Sequence, residues 1–573
     1  MPVALFLTGR AALAAGLLVA ACFLAGEAAA QSVGITDCDR LAASPTDTDR
    51  VDGVPGLTRD ALVASGEAGL AAALAACQAE VAAHPDIRRF AFQLGRLYEA
   101  SKNNDDAMRW FEKAAAAGSA GAMNNIGAMY NAGSGVVRDA ALARTWFEKA
   151  AAAGNATAMT NLGVLYRDAA GVPRDYAEAR RWFEKAAALG EATAMANLGV
   201  FFSQGLGVPR DVVAGRGWFE KAADAGNVLA MGAVGEFYRD GDGVPRDYGL
   251  ARSWFEKAAN AGNALAMFSL GRLYFAGQGV ARDYAEARAW YEKSAALGNA
   301  AAQTGLGVIY DNGLGVPRDY VAARGWYEKG AAGGDATAMG NLGWLYRNGS
   351  GVARDYDTAR SWLEKAAAAG SASAMNNIGL LYHEGTGVAR DEAMARSWFE
   401  KAANAGWTQA MINLAIMYRD GVGVARDLAA THSWFEKAAA RGDATAMYNL
   451  GTLYHEATGV PRDDAKARAW HEKAASAGNA AAMHNLGALL DKGEGGARDQ
   501  ARALQLLLAA MAAGNAFSFD QFRDNSGAYS VTVRRGIEAF LIDNGYLKGR
   551  ADGTFDRATA AALTAYQKAV AGK

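Results

Sequence analysis

Five histidines, His383, His432, His455, His471 and His484, fall in the last third of this 573-residue chain and are its first candidates for metal binding or general-base work. His383 and His455 stand 72 residues apart, at one phase of a 36-residue period. They therefore lie on different structural units and cannot share an ion, and no spacing among the five matches a metal-ligand set. No serine or cysteine is arranged with a histidine and an acid so that chain order would bring a nucleophilic triad together. A Gly-x-Gly turn recurs, as at Gly205 and Gly207, in the manner of phosphate-cradling loops. It follows a helix rather than a strand, and neither a lysine-serine pair nor a third glycine completes a cradle. The reading is no metal, no cofactor and no enzyme.

What the chain repeats is apolar. Tryptophans stand at 110, 146, 182, 218, 254, 290, 326, 362, 398, 434 and 470, each 36 residues after the last. A fixed period of this size means one small supersecondary unit stacked many times. The expected fold is all-α, an α-solenoid of helix–turn–helix repeats followed by a small three-helix domain. A solenoid offers a long binding surface rather than a catalytic site.

The stretch from 156 to 190 shows how each unit must be built. Met159, Leu162, Gly163 and Tyr166 share one face of a first helix over 156–166. A Gly- and Pro-containing turn follows. Asp175 stands at an N-cap, where its carboxylate accepts the first free backbone N–H groups of a second helix over 176–189. Gly190 ends that helix. The cap aspartate recurs from Asp139 to Asp499, and the mid-helix glycine from Gly127 to Gly487 with Ala415 its one replacement. A glycine in mid-helix costs about 1 kcal/mol against alanine, so its repetition implies very close packing there. Each tryptophan shares a face with small alanines, the pattern of a core anchor between units. Pairs of the Arg144 and Glu148 type form a solvated surface ladder.

Positions that vary between units are the candidates for partner contact. On the first helices they fall at the phases of residues 124, 128 and 131, which share a face. Phe268, Arg272 and Phe275 cluster on one helix, Trp344 and Arg347 two units later, then Ile412, Ile416 and Arg419, followed by Tyr448. Exposed aromatic and arginine side chains carry much of the energy of protein interfaces. The stretch 268–448 is therefore the candidate partner groove, with ordinary packing between first helices the alternative. Recurrent asparagines such as Asn161, Asn197 and Asn413 could hold an extended peptide backbone or satisfy backbone groups between units.

Formal net charge is −2, without a basic stripe, so nucleic acid is not an expected partner. Arg10 precedes an apolar run over 11–26 and an alanine triplet before Gln31, the pattern of a cleaved export signal over 1–30. The run is short of the roughly 20 residues that span a bilayer, so no integral membrane segment is expected after cleavage. Val19-Ala20-Ala21-Cys22 offers lipidation at Cys22 as the alternative. Cleavage would leave Cys38 and Cys77, an even count that suggests one disulfide, with two free thiols as the other option.

The repeated Ala-Met-x-Asn-Leu-Gly-x-Leu-Tyr, Gly-x-Gly-Val-x-Arg-Asp and Ala-Arg-x-Trp-Phe-Glu-Lys-Ala-Ala elements resemble Sel1-like repeats, relatives of tetratricopeptide repeats. The resemblance covers eleven units over 120–515, the last with Leu490 and Leu506 in place of tyrosine and tryptophan. It implies a scaffold that binds other proteins through its first helices. A tetratricopeptide-like unit over 86–119 precedes the array, and a leader with a capping helix spans 31–85. A linker is expected over 516–528. Over 529–573, Gly545-Tyr546-Leu547, Asp552-Gly553-x-Phe555, Thr559 and Tyr566-Gln567 resemble a small three-helix peptidoglycan-binding domain, with Glu538 where that family has glutamine. This resemblance implies glycan contact through Tyr546, Asp552 and Phe555, although the same residues suit turns and caps. Together the resemblances imply a periplasmic scaffold with a protein partner, tethered to peptidoglycan. The rivals are a periplasmic regulator or inhibitor of a membrane sensor or wall complex, and a wall-acting or β-lactam-hydrolysing enzyme. Cysteine-rich relatives suggest the last, but these repeats contain no cysteine.

Overall fold

The computed structural model describes residues 34–572, so the expected signal over 1–30 and the lipidation candidate Cys22 lie outside the described residues. The described residues form helices and turns, with no strand among them. The chain divides into two compact units, Met1–Trp290 and Tyr291–Lys573. Each is a run of helix–turn–helix repeats, an α-solenoid architecture.

One repeat explains the rest. Asn155 caps helix Ala156–Asp168 by accepting the Ala158 amide at 2.8 Å. Ala169 ends it in the left-handed region with φ 60°, a position held by glycine in most units. Asp175 then accepts the Ala177 and Glu178 amides, both at 2.9 Å, and starts helix Tyr176–Ala188. The second helix thus falls where the cap aspartate predicts, and the first runs two residues beyond 166. Asparagine or aspartate caps meet the amide groups that every helix start leaves free.

The repeated glycine is a socket. A Cβ built on Gly163 would lie 2.6 Å from the Phe183 ring, and one on Gly235 would lie 2.6 Å from the Phe255 ring. The close approach is therefore between a first helix and an aromatic side chain of its own second helix, 20 positions on. Phe183, Phe255, Phe399 and Phe435 are almost wholly buried. The tryptophans, expected as the core anchors, are half-buried at the margin of these clusters. The lysine three residues later covers the indole face, at 4.0 Å for Lys185 on Trp182 and 3.8 Å for Lys437 on Trp434. The phenylalanine next in sequence takes the interior place because it faces the glycine.

In the first compact unit the leader packs on helix Arg88–Ala100. Cys38 and Cys77 form a disulfide, with Cα atoms 4.6 Å apart. Arg88 clasps Asp49 through two contacts of 2.7 Å, and buried Arg89 lies 3.2 Å from buried Asp39. Arg96 donates to the Ala42 carbonyl at 2.7 Å and to the Leu57 carbonyl. Burial lowers the Arg96 guanidinium to about 10 and raises the Asp47 carboxyl to about 6.

The end of the second compact unit differs from expectation. The stretch over 516–528, expected as a linker, contains helix Ala516–Asp524, capped by Asn515. Its Phe519 and Phe522 are fully buried. They share one core with Leu507 of the last repeat and with Val533, Ile537, Leu563 and Tyr566 of helices Val531–Asp543 and Arg557–Ala571. Asn515 follows Asn479 by 36 positions, so this helix is one more first helix without a second. The C-terminal segment packs on it and closes the apolar face that the missing helix would have covered.

Candidate functional site

The candidate groove residues divide between exposed and structural roles. On helix Ala264–Ala276, Arg272 is exposed, with its guanidinium 5.9 Å over the half-buried Phe268 ring. Phe275 packs edge-on against Tyr284, with ring centres 5.4 Å apart. On helix Ala336–Asn348, Trp344 is 43% exposed, an unusual state for so large an apolar side chain. Arg347 donates to Glu384 at 2.7 Å, a bridge to the next repeat.

Helix Thr408–Asp420 corrects the expectation in part. Ile412 is 3% exposed and belongs to the core, so it cannot meet a partner. The large branched side chain joins the buried cluster that includes Leu414, Phe435 and Leu450. Ile416 is half-buried, and Arg419 is held by Asp420 at 2.7 Å. Tyr448 is half-buried too, with its ring 5.7 Å from that of His471.

The asparagines bond within and between repeats. Asn161 donates to Asn124 at 3.0 Å, Asn413 to Asn376 at 3.0 Å, and Asn197 accepts from Arg167 at 2.6 Å. Between units these contacts join side chains, not the backbone groups that the second reading expected; the asparagine bonds to backbone, Asn197 to the Thr193 carbonyl and Asn449 to the Thr445 carbonyl, stay within one helix.

The histidines are dispersed. His383 lies 2.8 Å from Glu392, and His455 lies 2.8 Å from Asp464, the same pair one double period on. No group of three metal-ligating side chains occurs among the described residues. His471 occupies the phenylalanine slot against Gly451, and burial lowers its ring to about 4. Its Nδ1 is buried without a hydrogen-bond partner among the described residues. His484 is buried beneath the C-terminal segment. The Tyr529 hydroxyl lies 2.9 Å from its Nε2, and its Nδ1 lies 3.0 Å from Ser518 Oγ. Burial lowers this ring to about 4 as well, so it is neutral near pH 7.

In the C-terminal segment the three residues expected at glycan serve the fold in visible ways. Tyr546 stacks 5.3 Å from Tyr566, and Phe555 lies 6.1 Å from Phe522. Exposed Asp552 accepts the Thr554 amide of its own turn at 2.7 Å. Glu538 is 2% exposed and accepts the Gly553 amide at 2.6 Å. Burial raises its carboxyl above the ordinary range.

The Sel1 repeat pattern matches the chain in twelve consecutive copies: residues 89–119, then eleven 36-residue blocks from 120–155 to 480–515. The chain belongs to the Sel1 repeat family. The segment before 120, read as tetratricopeptide-like, is thus a Sel1 repeat with a shorter turn. The uropathogenic Escherichia coli protein c5321, described as a protective antigen with an SLR fold, is similar at 33% identity and a TM-score of 0.51, over 80% of this chain and 97% of its own. A Sel1 repeat protein from Oxalobacter formigenes is 34% identical, with a TM-score of 0.40, over 42% of this chain and 98% of its own. No functionally curated protein is similar enough to match.

Two features of this Sel1 repeat protein escaped the phase argument. Leu229 and Leu265 are 76% and 54% exposed, one residue into successive first helices. Trp407 stands where the other first helices over 120–515 have a capping asparagine, aspartate, serine or glutamate. It gives no side-chain cap and is 40% exposed. Both were visible as breaks in the 36-residue register, but at phases outside the three compared. Among the described residues no single helix is long and apolar enough to cross a membrane.

Proposed function

We propose that this Sel1 repeat protein is an exported scaffold whose first-helix faces hold a protein partner and whose C-terminal segment tethers it to peptidoglycan. The fold is a protein-interaction scaffold, and its interior repeats with little change from unit to unit. The observation that carries the reading is Trp344, 43% exposed on a helix whose buried side is formed by Ala338, Leu342, Gly343 and Leu345. Burying such a side chain at an interface is worth several kcal/mol in favourable cases, and leaving it in water has no structural return. Export rests on the N-terminal sequence pattern, and the description of the similar E. coli protein as an antigen is in keeping with it. The tether rests on sequence resemblance alone.

In-cell crosslinking with mass spectrometry identifies the partner. Capture with purified full-length protein then tests Phe268→Ala, Trp344→Ala and Tyr448→Ala together. The expected result is loss of capture with an unchanged helical spectrum, and undiminished capture refutes the assignment. The mature N-terminus is expected at Gln31. Full-length protein is expected to sediment with purified sacculi, and a protein that stays in the supernatant loses the tether.

A further inference from the structure

The first repeat shows what a first-helix face of this chain can hold. A Cβ built on Gly95 would lie 2.6 Å from the Phe111 ring, as one on Gly127 would lie 2.7 Å from the Phe147 ring. Helix Arg88–Ala100 therefore aligns with the first helix of the next repeat by a shift of 32, since 127 − 95 = 32. Later first helices follow at steps of 36. On this register Phe92 and Arg96 correspond to Phe268 and Arg272. Among the first helices from 120 to 515, only Ala264–Ala276 carries phenylalanine and arginine at these two positions. The pair occurs twice. In the first repeat Phe92 is buried against Phe111 in the core of its own repeat, and Arg96 is covered from outside.

The cover is the leader between helices Asp37–Ala42 and Arg59–Ala64, a stretch with no helix of its own. Arg96, 6% exposed, sends one Nη to the Ala42 carbonyl at 2.7 Å and the other to the Leu57 carbonyl. A guanidinium fork thus holds two main-chain acceptors, the last carbonyl of helix Asp37–Ala42 and one carbonyl of the irregular stretch after it. Side chains lock the flank, with Arg89 paired to Asp39.

Arg272 has the same position and no such cover. It is exposed, with its guanidinium 5.9 Å over the Phe268 ring. The carboxylate that feels its charge, Asp240, is already clasped by Arg239 at 2.7 Å through both oxygens. The flank is apolar where the first repeat is ionic. Leu265 corresponds to Arg89 and Phe275 to Glu99, and Leu229 presents the same apolar group one repeat earlier. At the phase of Leu229 and Leu265, the other repeats over 120–515 carry Gly, Ala, Ser, Thr or Gln.

We propose that helix Ala264–Ala276 binds a non-helical, apolar stretch of the partner polypeptide by its main-chain carbonyls. Arg272 does on the partner what Arg96 does on the leader, while Leu229, Leu265 and Phe268 take the partner's apolar side chains. This rests on the scaffold reading and names the chemistry of its ligand. The fork supplies register, and the leucines select against the charged leader itself.

The test is selection of a phage-displayed library of random peptides on the folded full-length protein, followed by fluorescence-polarisation titration of the selected peptides. Apolar sequences without a required acidic residue are expected. Arg272→Ala is expected to weaken them by about tenfold or more, with Arg272→Lys intermediate because an ammonium cannot fork across two carbonyls. Leu265→Ser is expected to weaken them as well. Arg272 and Leu265 are exposed, and an unchanged melting temperature verifies that the variants fold. Failure to select any peptide overturns the proposal, as does affinity unmoved by Arg272→Ala. Dependence on a peptide carboxylate overturns it too, by assigning Arg272 to an ion pair. Peptides weakened by Trp344→Ala but not by Arg272→Ala would leave the scaffold reading standing and remove this one.

Discussion

A single hydrogen atom in place of a methyl group lets the repeats close, in all but the one that carries Ala415. Gly163 meets the Phe183 ring at a distance no real Cβ tolerates, and the ring cannot swing away because it is wholly buried. Gly163→Ala is therefore expected to destabilise by roughly 1–3 kcal/mol, although alanine is the better helix former. A lower denaturation midpoint with unchanged slope would be the signature. Where histidine replaces the ring, the same slot becomes sensitive to pH. Burial first, and the neighbouring His455 charge second, lower His471 from 6.5 to about 4. The unfolded chain takes up a proton near pH 6.5 that the folded chain refuses until about pH 4. Stability from this residue is complete above pH 6.5 and is lost as pH falls between the two values, by at most about 3 kcal/mol. His484 acts in the same direction. His471→Phe is expected to flatten the acid side of the melting profile and to stabilise the protein at pH 7, since it removes an unpartnered buried Nδ1.

At the scale of elements, the two ends of the described chain are closed by different devices. The leader is fastened by a disulfide that closes a 39-residue separation and by arginines from helix Arg88–Ala100. Cys38→Ala with Cys77→Ala is expected to cost about 2–4 kcal/mol, read as a lowered midpoint that reductant reproduces in the parent protein. Removing Arg89 would leave Asp39 charged and buried, the costlier kind of loss. At the other end, helix Ala516–Asp524 and the two helices after it share their interior with Leu507 and Leu486. His484 and Asp491 reach across, the latter accepting the Ser530 amide at 2.7 Å. A fragment over 529–573 is thus expected to give little helical signal by circular dichroism, because its apolar face is completed by the last repeat. A folded, sharply melting fragment would contradict this.

For the whole molecule, stability is a sum of repeats and of the faces between neighbours. Deleting one full period, 336–371, is expected to leave a folded, cooperatively melting protein. Deleting 18 residues of the same repeat leaves one helix without its partner and is expected to drive aggregation. Size-exclusion chromatography with a melting curve distinguishes the two. The period, the helix boundaries and the caps were legible in the sequence, because each depends on contacts within one unit: Asp175 caps the helix three residues away, and Gly190 turns the chain beside it. Even the family followed from local patterns. Which face each side chain turns to the interior was less legible. Trp182 and Phe183 are neighbours in sequence and both apolar, and only packing against Gly163 puts the phenylalanine inside and leaves the tryptophan beneath Lys185. Ile412 reads as a surface position by phase and is buried, while Trp344, at another such phase, stays exposed. The stretch over 516–528 has the composition of a linker and packs as a half-repeat. The sequence alone determined how each unit folds, since that is written in residues a few positions apart. The tertiary structure decided what remains uncovered, because exposure depends on neighbours distant along the chain, and the uncovered places are those where a partner can bind.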